Sequence, residues 1–422
     1  MREIESKPER NTGRIYLDNA ATSYPKPACV IEAMTRYAEE LGASPGRGAY
    51  EEARASGEML WRCREAVLRI AHGGRDVAKP ERVIFTLNCS DALNLAIRGV
   101  VSAARRKNGR SPHVVTTAME HNSVLRPLNE LRERGEVEFT VVPADPETGI
   151  VDADDVVRAV RADTALVAVV HASNVSGSVQ PIGEIGPRVR ERGAVFLVDA
   201  AQTIGHVPID MEALGVDLLA FPGHKGLLGP LGTGALVLRE GVDELLDTVR
   251  EGGTGSRSED DTQPTDLPDR YEPGSHNAIG LAGLLSSCEW LLAPGRGVES
   301  IAMHEGTLVG AFLRGVEPML SETFRLLGPR SAEGRVGVFS FAMEGTAPSV
   351  FAWRLEKERG VLARAGLHCA PRAHETFGTR THPLGAKYAG STRLSFGAFT
   401  TVMDVERAMR AVEWCATSEV SA

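Results

Sequence analysis

Short apolar runs alternate with amphipathic helical segments over the first two thirds of the chain. Several runs are almost wholly apolar and stop at polar residues, among them Val83–Thr86, Ala165–Val170 and Val195–Val198. Such runs are typical of strands that are buried on both faces of a parallel sheet. Segments between them, such as Glu51–Ala71, carry apolar side chains at helical spacing. The alternation predicts an α/β fold with helices on both faces of a mainly parallel sheet.

The pattern changes after Leu292, where Ala293–Gly297 is rich in glycine and proline. A long amphipathic stretch follows, and strands are predicted at Arg335–Phe341 and around Leu394–Phe396. These elements predict a smaller α+β domain. We therefore expect a large domain over residues 31–292 and a small C-terminal domain over residues 293–422, preceded by an N-terminal segment, 1–30.

Net charge indicates which partners to expect, and cysteine spacing indicates which structural sites to exclude. The 422 residues carry a net charge of −9 without a basic tract, which disfavours a nucleic-acid or membrane surface and favours small molecules and proteins. The N-terminus is charged and lacks an apolar core, so we expect a cytoplasmic protein. The six cysteines form no Cys-x-x-Cys pair, which argues against a zinc site or a disulfide framework.

Polar residues follow two of the predicted strands. Asp199 comes directly after Val195–Val198, and Gly223-His224-Lys225-Gly226 follows Leu218–Phe221. Ligands of open α/β sheets bind beyond the carboxyl ends of the strands. An Asp and a Lys there suit pyridoxal phosphate, since the amine forms a Schiff base with the aldehyde and the carboxylate keeps the pyridine nitrogen protonated. The alternative is a helix-capping Asp199 and a surface Lys225, but the glycines around Lys225 argue against it.

A second polar cluster predicts an anion site. Asn88-Cys89-Ser90-Asp91 follows the strand Val83–Thr86 and precedes a helix that is predicted to begin at Ala92. Unpaired backbone N–H groups and the helix dipole attract an anion at such a turn, so Ser90 is a candidate phosphate ligand. A plain helix cap would explain the same residue types.

The motifs YLDNAAT, MEHNS, HASNVSG, VDAAQT, GHKG, HCAP and STRLSFG occur in this order between about Tyr16 and the end of the chain. Together they resemble those of the cysteine desulfurases, which belong to the class V aminotransferase group of fold-type I pyridoxal phosphate enzymes. The resemblance implies a large domain that binds pyridoxal phosphate and a small domain that carries the nucleophile loop. It also implies that the N-terminal segment, 1–30, packs near the active site and the small domain.

The resemblance also implies roles for individual residues. His121 is expected to stack on the pyridine ring and to move protons, and Ser275 is expected to reach the phosphate across the interface of a homodimer. The implied cofactor ligands are Lys225, Asp199, Gln202, His121, Cys89, Ser90, His224, Asn174 and Ser275. The implied substrate ligands are Arg393, Asn174, Ala20 and Ala21, and the implied catalytic residues are Lys225, Cys369 and His121.

Cys369 lies in the segment RAGLHCAP, which distinguishes desulfurases from ordinary aminotransferases. Arg364, His368 and Arg372 are expected to supply positive charge that favours its thiolate. The implied reaction converts L-cysteine into L-alanine, leaves a persulfide on Cys369, and passes the sulfur to an acceptor protein. The alternative is a pyridoxal phosphate lyase that acts on cysteine, selenocysteine or a related amino acid without an enzyme persulfide.

Several features depart from the family pattern or leave a role open. Pro222 stands where many relatives have a Ser or Thr that binds phosphate. The segment between Cys369 and Arg393 includes an insert-like stretch, Ala386–Tyr388. His374 is either a second acid/base or a surface residue, and Arg47 faces either substrate, a partner subunit or solvent.

Overall fold

The computed structural model describes residues 13–46, 48–381, 385 and 389–418. The sequence-based questions about Arg47 and Ala386–Tyr388 lie outside these residues. The helices are α1 (Ala28–Arg36), α2 (Glu51–Ala71), α3 (Cys89–Asn108), α4 (Asn122–Glu133), α5 (Ala153–Ala159), α6 (Ile182–Glu191), α7 (Ala278–Leu292), α8 (Gly297–Val316), α9 (Pro348–Arg359), α10 (Pro371–Thr376) and α11 (Val402–Thr417). The strands are β1 (Ile15–Tyr16), β2 (Val83–Thr86), β3 (His113–Thr117), β4 (Glu138–Val142), β5 (Thr164–Val170), β6 (Val195–Asp199), β7 (Leu218–Pro222), β8 (Gly234–Leu238), β9 (Phe324–Leu327), β10 (Val338–Met343), β11 (Val361–Leu362), β12 (Arg364–Gly366) and β13 (Ser391–Ser395).

The large sheet has the strand order β2-β8-β7-β6-β5-β3-β4. Strands β3 to β7 pair in parallel, and β8 runs antiparallel to its neighbours β7 and β2. The prediction of a mainly parallel sheet is therefore confirmed. Strands β6 and β7 are neighbours, with Asp199 opposite Ala220. Asp199 and Lys225 consequently lie at the same edge of the sheet, beyond adjacent strands.

Helices cover both faces of this sheet, because alternate side chains of a strand point to opposite sides. On one face, Val198 and Leu219 join a core with α2, α6 and α7. On the other face, Leu197 and Leu218 pack with α3 and α4. This arrangement explains why the strands are apolar at every position rather than alternately polar.

The small sheet is antiparallel, with the order β12-β13-β10-β9. Its core includes Phe312 of α8, which contacts the rings of Phe339 and Phe396. The short strand β1 pairs in parallel with β11, which brings the N-terminal part of the described chain against this sheet. The domain limits at residues 30 and 292 stay a prediction.

Two predicted element boundaries are each wrong by three residues. Helix α3 begins at Cys89 rather than Ala92, because the Asn88 side chain accepts a hydrogen bond from the Asp91 N–H and caps the helix. Strand β10 begins at Val338 rather than Arg335, because Arg335 instead bridges to Ser178 of the large domain. The first shift places Cys89 and Ser90 in the first helical turn.

No single helix in the described ranges is long and apolar enough to span a membrane. Together, Ala278–Leu292 and Gly297–Met319 meet that criterion only as a pair bent by 76°.

Candidate active site

A cavity of about 460 Å³ lies at the carboxyl edge of the large sheet. Eight of the predicted site residues line it: Cys89, Ser90, His121, Asn174, Asp199, Gln202, His224 and Lys225. They come from the ends of β5, β6 and β7 and from the first turns of α3 and α4. Segments that are far apart in sequence therefore converge on one space, as the predicted strand-end arrangement requires.

Lys225 and Asp199 form the floor of this cavity. Burial lowers the pKa of Lys225 from its usual range, and the nearby Cys89 and Asp199 only partly oppose this shift. Burial also raises the pKa of Asp199, against the opposing effects of the Ala201 N–H and Lys225. The site therefore keeps a larger fraction of neutral amine than an exposed lysine would have.

The hydrogen bonds of Asp199 match the needs of pyridoxal phosphate. Oδ1 accepts the Ala201 N–H at 2.9 Å and the Cys89 thiol at 3.4 Å. Both bonds end on the same oxygen, which leaves Oδ2 available for a further donor such as a protonated pyridine nitrogen. Opposite this floor, the amino end of α3 carries the Ser90 hydroxyl and offers backbone N–H groups to a phosphate. The residues present fit the cofactor.

His121 belongs to a short chain of hydrogen bonds. Its Nδ1 accepts the Ser123 N–H at 3.1 Å and lies 2.8 Å from the Ser123 hydroxyl, which in turn lies 2.6 Å from the Ser90 hydroxyl. Burial, followed by the positive charges of Lys225 and Arg364, lowers the pKa of His121 to about 4. The imidazole is therefore neutral at pH 7. Because Nδ1 accepts a backbone N–H, its proton is on Nε2.

The N-terminal segment closes one side of the site. Gln202 Nε2 donates to the Ala20 carbonyl at 3.0 Å, and His224 Nδ1 lies 3.0 Å from the Thr22 hydroxyl. Ala20 is buried, and the Ala21 N–H donates to the Asp18 carbonyl within the same turn. The segment that contains both predicted substrate-binding alanines therefore lies against the residues next to Lys225.

Cys369 is exposed beside the cavity wall. Its carbonyl accepts the Asn122 N–H at 2.7 Å, and the carbonyl of His368 accepts a bond from Asn174 Nδ2 at 2.6 Å. His368 and Cys369 both have left-handed backbone conformations, with φ of 49° and 60°. Two consecutive non-glycine residues in this region are strained, and such strain is common at functional sites. The hydrogen bonds to the His368 and Cys369 carbonyls both come from the large domain, and they hold the loop backbone in this conformation.

Burial changes the expected role of His368 and excludes one of the two alternatives for His374. Burial lowers the pKa of His368 well below its usual value, so the ring is neutral and does not supply the predicted positive charge. His374 is fully buried, and its Nδ1 lies 2.7 Å from the Thr379 hydroxyl. Of the two alternatives for His374, a surface position is therefore wrong, and its ring contacts the ring of His368 at a centroid distance of 5.6 Å.

Arg393 connects the two domains. Its side chain is only 1% exposed, and its Nη2 donates to Asp18 Oδ1 at 2.6 Å while Nη1 donates to the Asn174 carbonyl at 3.1 Å. Its Nε has no partner among the described residues. A substrate carboxylate would compete with Asp18 for this guanidinium. The predicted role of Arg393 stays a prediction.

Ser275 is exposed three residues before α7. Its predicted role involves a second subunit.

Two residues of the site were missed in the sequence. Asp18 pairs with Arg393, and Ser123 joins His121 to Ser90. Both lie inside quoted motifs, YLDNAAT and MEHNS. Ser123 could have been predicted from the position of His121 before a helix, because a capping side chain accepts the N–H of the residue two or three positions later. The partner of Asp18 is 375 positions away, and no local pattern reveals it.

Comparisons with known proteins place the chain in a family. The aminotransferase class-V family model matches residues 15–408. The chain is 37% identical over 374 residues to a probable cysteine desulfurase of Methanothermobacter thermautotrophicus, which covers 86% of this chain and 88% of that protein. It is 32% identical over 408 residues to the cysteine desulfurase IscS of Dictyoglomus turgidum, with coverage of 94% and 93%.

Solved structures show the same fold. The apo structure of the cysteine desulfurase from Thermococcus onnurineus has a TM-score of 0.82 at 30% identity and covers 95% of this chain and 94% of that one. The desulfurase CsdA of Escherichia coli has a TM-score of 0.80 at 23% identity, with coverage of 97% and 96%. The chain belongs to the class-V aminotransferase family and, within it, to the cysteine desulfurases.

Proposed function

We propose that this protein is a pyridoxal phosphate-dependent cysteine desulfurase that converts L-cysteine into L-alanine and leaves a persulfide on Cys369. The observation that carries the proposal is the placement of Lys225 and Asp199 beyond adjacent strands, around a cavity beside which an exposed cysteine is held. A binding protein without catalysis would need neither a buried lysine of lowered pKa nor this cysteine.

The bound cofactor would supply an aldehyde that condenses with amines and a ring that withdraws electrons from the substrate. Lys225 and Asp199 would hold it at the aldehyde and the pyridine nitrogen, and the amino end of α3 with Ser90 would hold the phosphate. Because burial lowers its pKa, Lys225 is suited to accept a proton through its neutral form. Neutral His121 carries its proton on Nε2, with Nδ1 fixed by Ser123, so it can donate a hydrogen bond inside the cavity.

Sulfur would leave the substrate by nucleophilic attack of Cys369. The thiolate forms a bond to the substrate sulfur as the carbon–sulfur bond breaks, and the electron pair of that bond remains with the carbon, which is protonated to give alanine. In balance, cysteine and the Cys369 thiol yield alanine and the Cys369 persulfide. No external oxidant is needed.

Two variants test this proposal against a lyase. Lys225→Ala should lose the visible absorbance of the loaded enzyme and its turnover. Cys369→Ala should keep the visible absorbance and bind cysteine, yet lose alanine formation, because only the sulfur nucleophile is removed. Mass spectrometry of wild type after exposure to cysteine should find one additional sulfur on Cys369. Sulfide release by Cys369→Ala at the wild-type rate, with pyruvate as product, would establish the lyase instead.

A homodimer with shared sites is the second part of the proposal. Ser275 is exposed just before the amino end of α7. Its hydroxyl is therefore accessible to the phosphate site of a second subunit. Mixing Lys225→Ala with Ser275→Ala subunits should restore one intact site per mixed dimer if Ser275 acts in trans. A fully active monomer in sedimentation would contradict it. A cytoplasmic location stays a prediction.

A further inference from the structure

Three arginines lie on the segments that hold or carry Cys369: Arg126 on α4, Arg364 on β12 and Arg372 on α10, which we call the arginine rim. Arg372 follows Cys369 by three positions and lies in the first turn of α10. Arg364 lies on β12 of the same segment. Among the described residues, none of the three makes an ion pair with an acidic side chain. The rim is therefore a local concentration of positive charge that the protein itself does not neutralise.

Arg126 belongs to the rim through helix α4. The Asn122 N–H at the start of this helix bonds the Cys369 carbonyl at 2.7 Å, and Arg126 lies one turn further along the same helix face. Its side chain is exposed. Its charge and that of Arg364 both contribute, after burial and Lys225, to the lowered pKa of His121. The large domain thus supplies one member of the rim and the small domain supplies two.

The rim differs from neighbouring arginines on the same elements. Arg134, at the end of α4, pairs with Glu130 at 2.7 Å, and Arg380, beyond α10, pairs with Glu375. The whole chain carries a net charge of −9. An acidic protein in which three arginines have no acidic partner among the described residues, on the segments next to one exposed thiol, attracts anions toward that thiol, because like charges on neighbouring segments raise the local concentration of the opposite charge.

We propose that the arginine rim recruits the sulfur acceptor to Cys369, and that the acceptor presents its thiol within an acidic protein segment. The inference rests on the proposed function. The acceptor thiolate attacks the outer sulfur of the Cys369 persulfide, a new sulfur–sulfur bond forms on the acceptor, and the old one breaks. Cys369 leaves as a thiolate, so the transfer needs no oxidant or reductant.

The charge of the rim can be measured without turnover. Loaded enzyme without cysteine is alkylated with iodoacetate or with iodoacetamide, and the labelled Cys369 peptide is quantified by mass spectrometry. At low ionic strength the iodoacetate-to-iodoacetamide rate ratio should exceed that of glutathione by about fivefold and should fall with salt. The Arg126→Gln/Arg372→Gln double variant should lose most of this excess, while Arg134→Gln on the same helix should keep it. A wild-type ratio no higher than that of glutathione would overturn the proposal.

Sulfur transfer is then measured to three peptides that differ only in the residues flanking one cysteine: aspartate, serine or lysine. Enzyme charged with L-cysteine should transfer sulfur to the acidic peptide about tenfold faster than to the basic one at low salt. Flanking lysines favour the thiolate, so the intrinsic reactivity of the peptides opposes this order. The order should disappear in the Arg126→Gln/Arg372→Gln variant.

Equal transfer to all three peptides, or faster transfer to the basic one, would refute the inference. Absence of any persulfide on Cys369 would instead contradict the proposed function, and the alkylation ratio would still decide whether the rim selects anions.

Discussion

Replacing Glu120 with Gln should remove the pH dependence of stability that comes from the buried Glu120 carboxyl. Glu120 is fully buried between the ends of β3 and β5. Its Oε1 accepts the Thr117 hydroxyl at 2.7 Å and the Val170 N–H at 3.0 Å, while Oε2 has no partner among the described residues. Burial is the main cause that raises the pKa of Glu120 from 4.5 to about 8. The side chain is therefore a neutral acid at pH 7.

The sign of the pH effect follows from this raised pKa. The folded state holds the proton up to about pH 8, whereas the unfolded chain releases it near 4.5. The free energy of unfolding therefore falls as the pH rises from 4.5 to 8, by about 1.4 kcal/mol per pH unit. Gln has the shape of the neutral acid, keeps the two bonds to its oxygen, and does not titrate. The free energy of unfolding of Glu120→Gln, relative to that of wild type, should therefore rise by about 2 kcal/mol between pH 5.5 and pH 7.0.

Urea unfolding of both proteins at the two pH values measures this change, since titrations that both share cancel in the difference. Glu130→Gln is the matched control, because Glu130 lies on α4 but pairs with Arg134 on the surface. Its difference from wild type should not vary with pH by more than a few tenths of a kcal/mol. A constant difference between Glu120→Gln and wild type would show that Glu120 is ionised in the folded protein, and the burial reasoning would be wrong.

Three further outcomes are expected. Cys89→Ala, which removes the thiol that donates to Asp199, should weaken cofactor binding about three- to tenfold in a spectroscopic titration, whereas Cys89→Ser should retain it. Ser123→Ala should raise the Kd for cofactor rebinding and change the pH profile, because it removes the hydroxyl that joins His121 Nδ1 to the Ser90 hydroxyl, while the backbone N–H bond to Nδ1 remains. The His206–Glu305 pair, 2.6 Å apart, raises the pKa of His206, so the stability that this pair contributes should decline as the pH rises from 6.5, a decline that a Glu305→Gln variant should lack in thermal unfolding.

The large sheet could be predicted because its signal is local. Strands buried on both faces must be apolar at each position, so runs such as Val195–Val198 stand out against the helical segments around them. The polar residues that end these runs then mark the cavity, since parallel strands present their carboxyl ends at one edge. Asp199 and Lys225 can be predicted in this way, because each follows one of two apolar runs that pair as neighbouring strands.

Contacts between distant segments could not be predicted from the same pattern. His368 was expected to be charged because it neighbours Cys369 in sequence, but burial under the loop makes it neutral. The start of β10 was placed too early because Val336, apolar like the strand residues, bonds the Gly177 carbonyl instead. In both cases a neighbour from another part of the fold decides the outcome, and hydrophobic periodicity contains no information about that neighbour.

Asn174 contacts both halves of the proposed mechanism. Its side chain donates to the His368 carbonyl, one residue before Cys369, and its own carbonyl accepts from Arg393. One residue at the end of β5 therefore fixes both the proposed sulfur nucleophile and the proposed carboxylate ligand relative to the cavity. The same strand end is tied to Glu120 through the Val170 N–H. Because interiors transmit small displacements, a displacement of this strand end would act on both the loop that carries Cys369 and the Arg393 side chain.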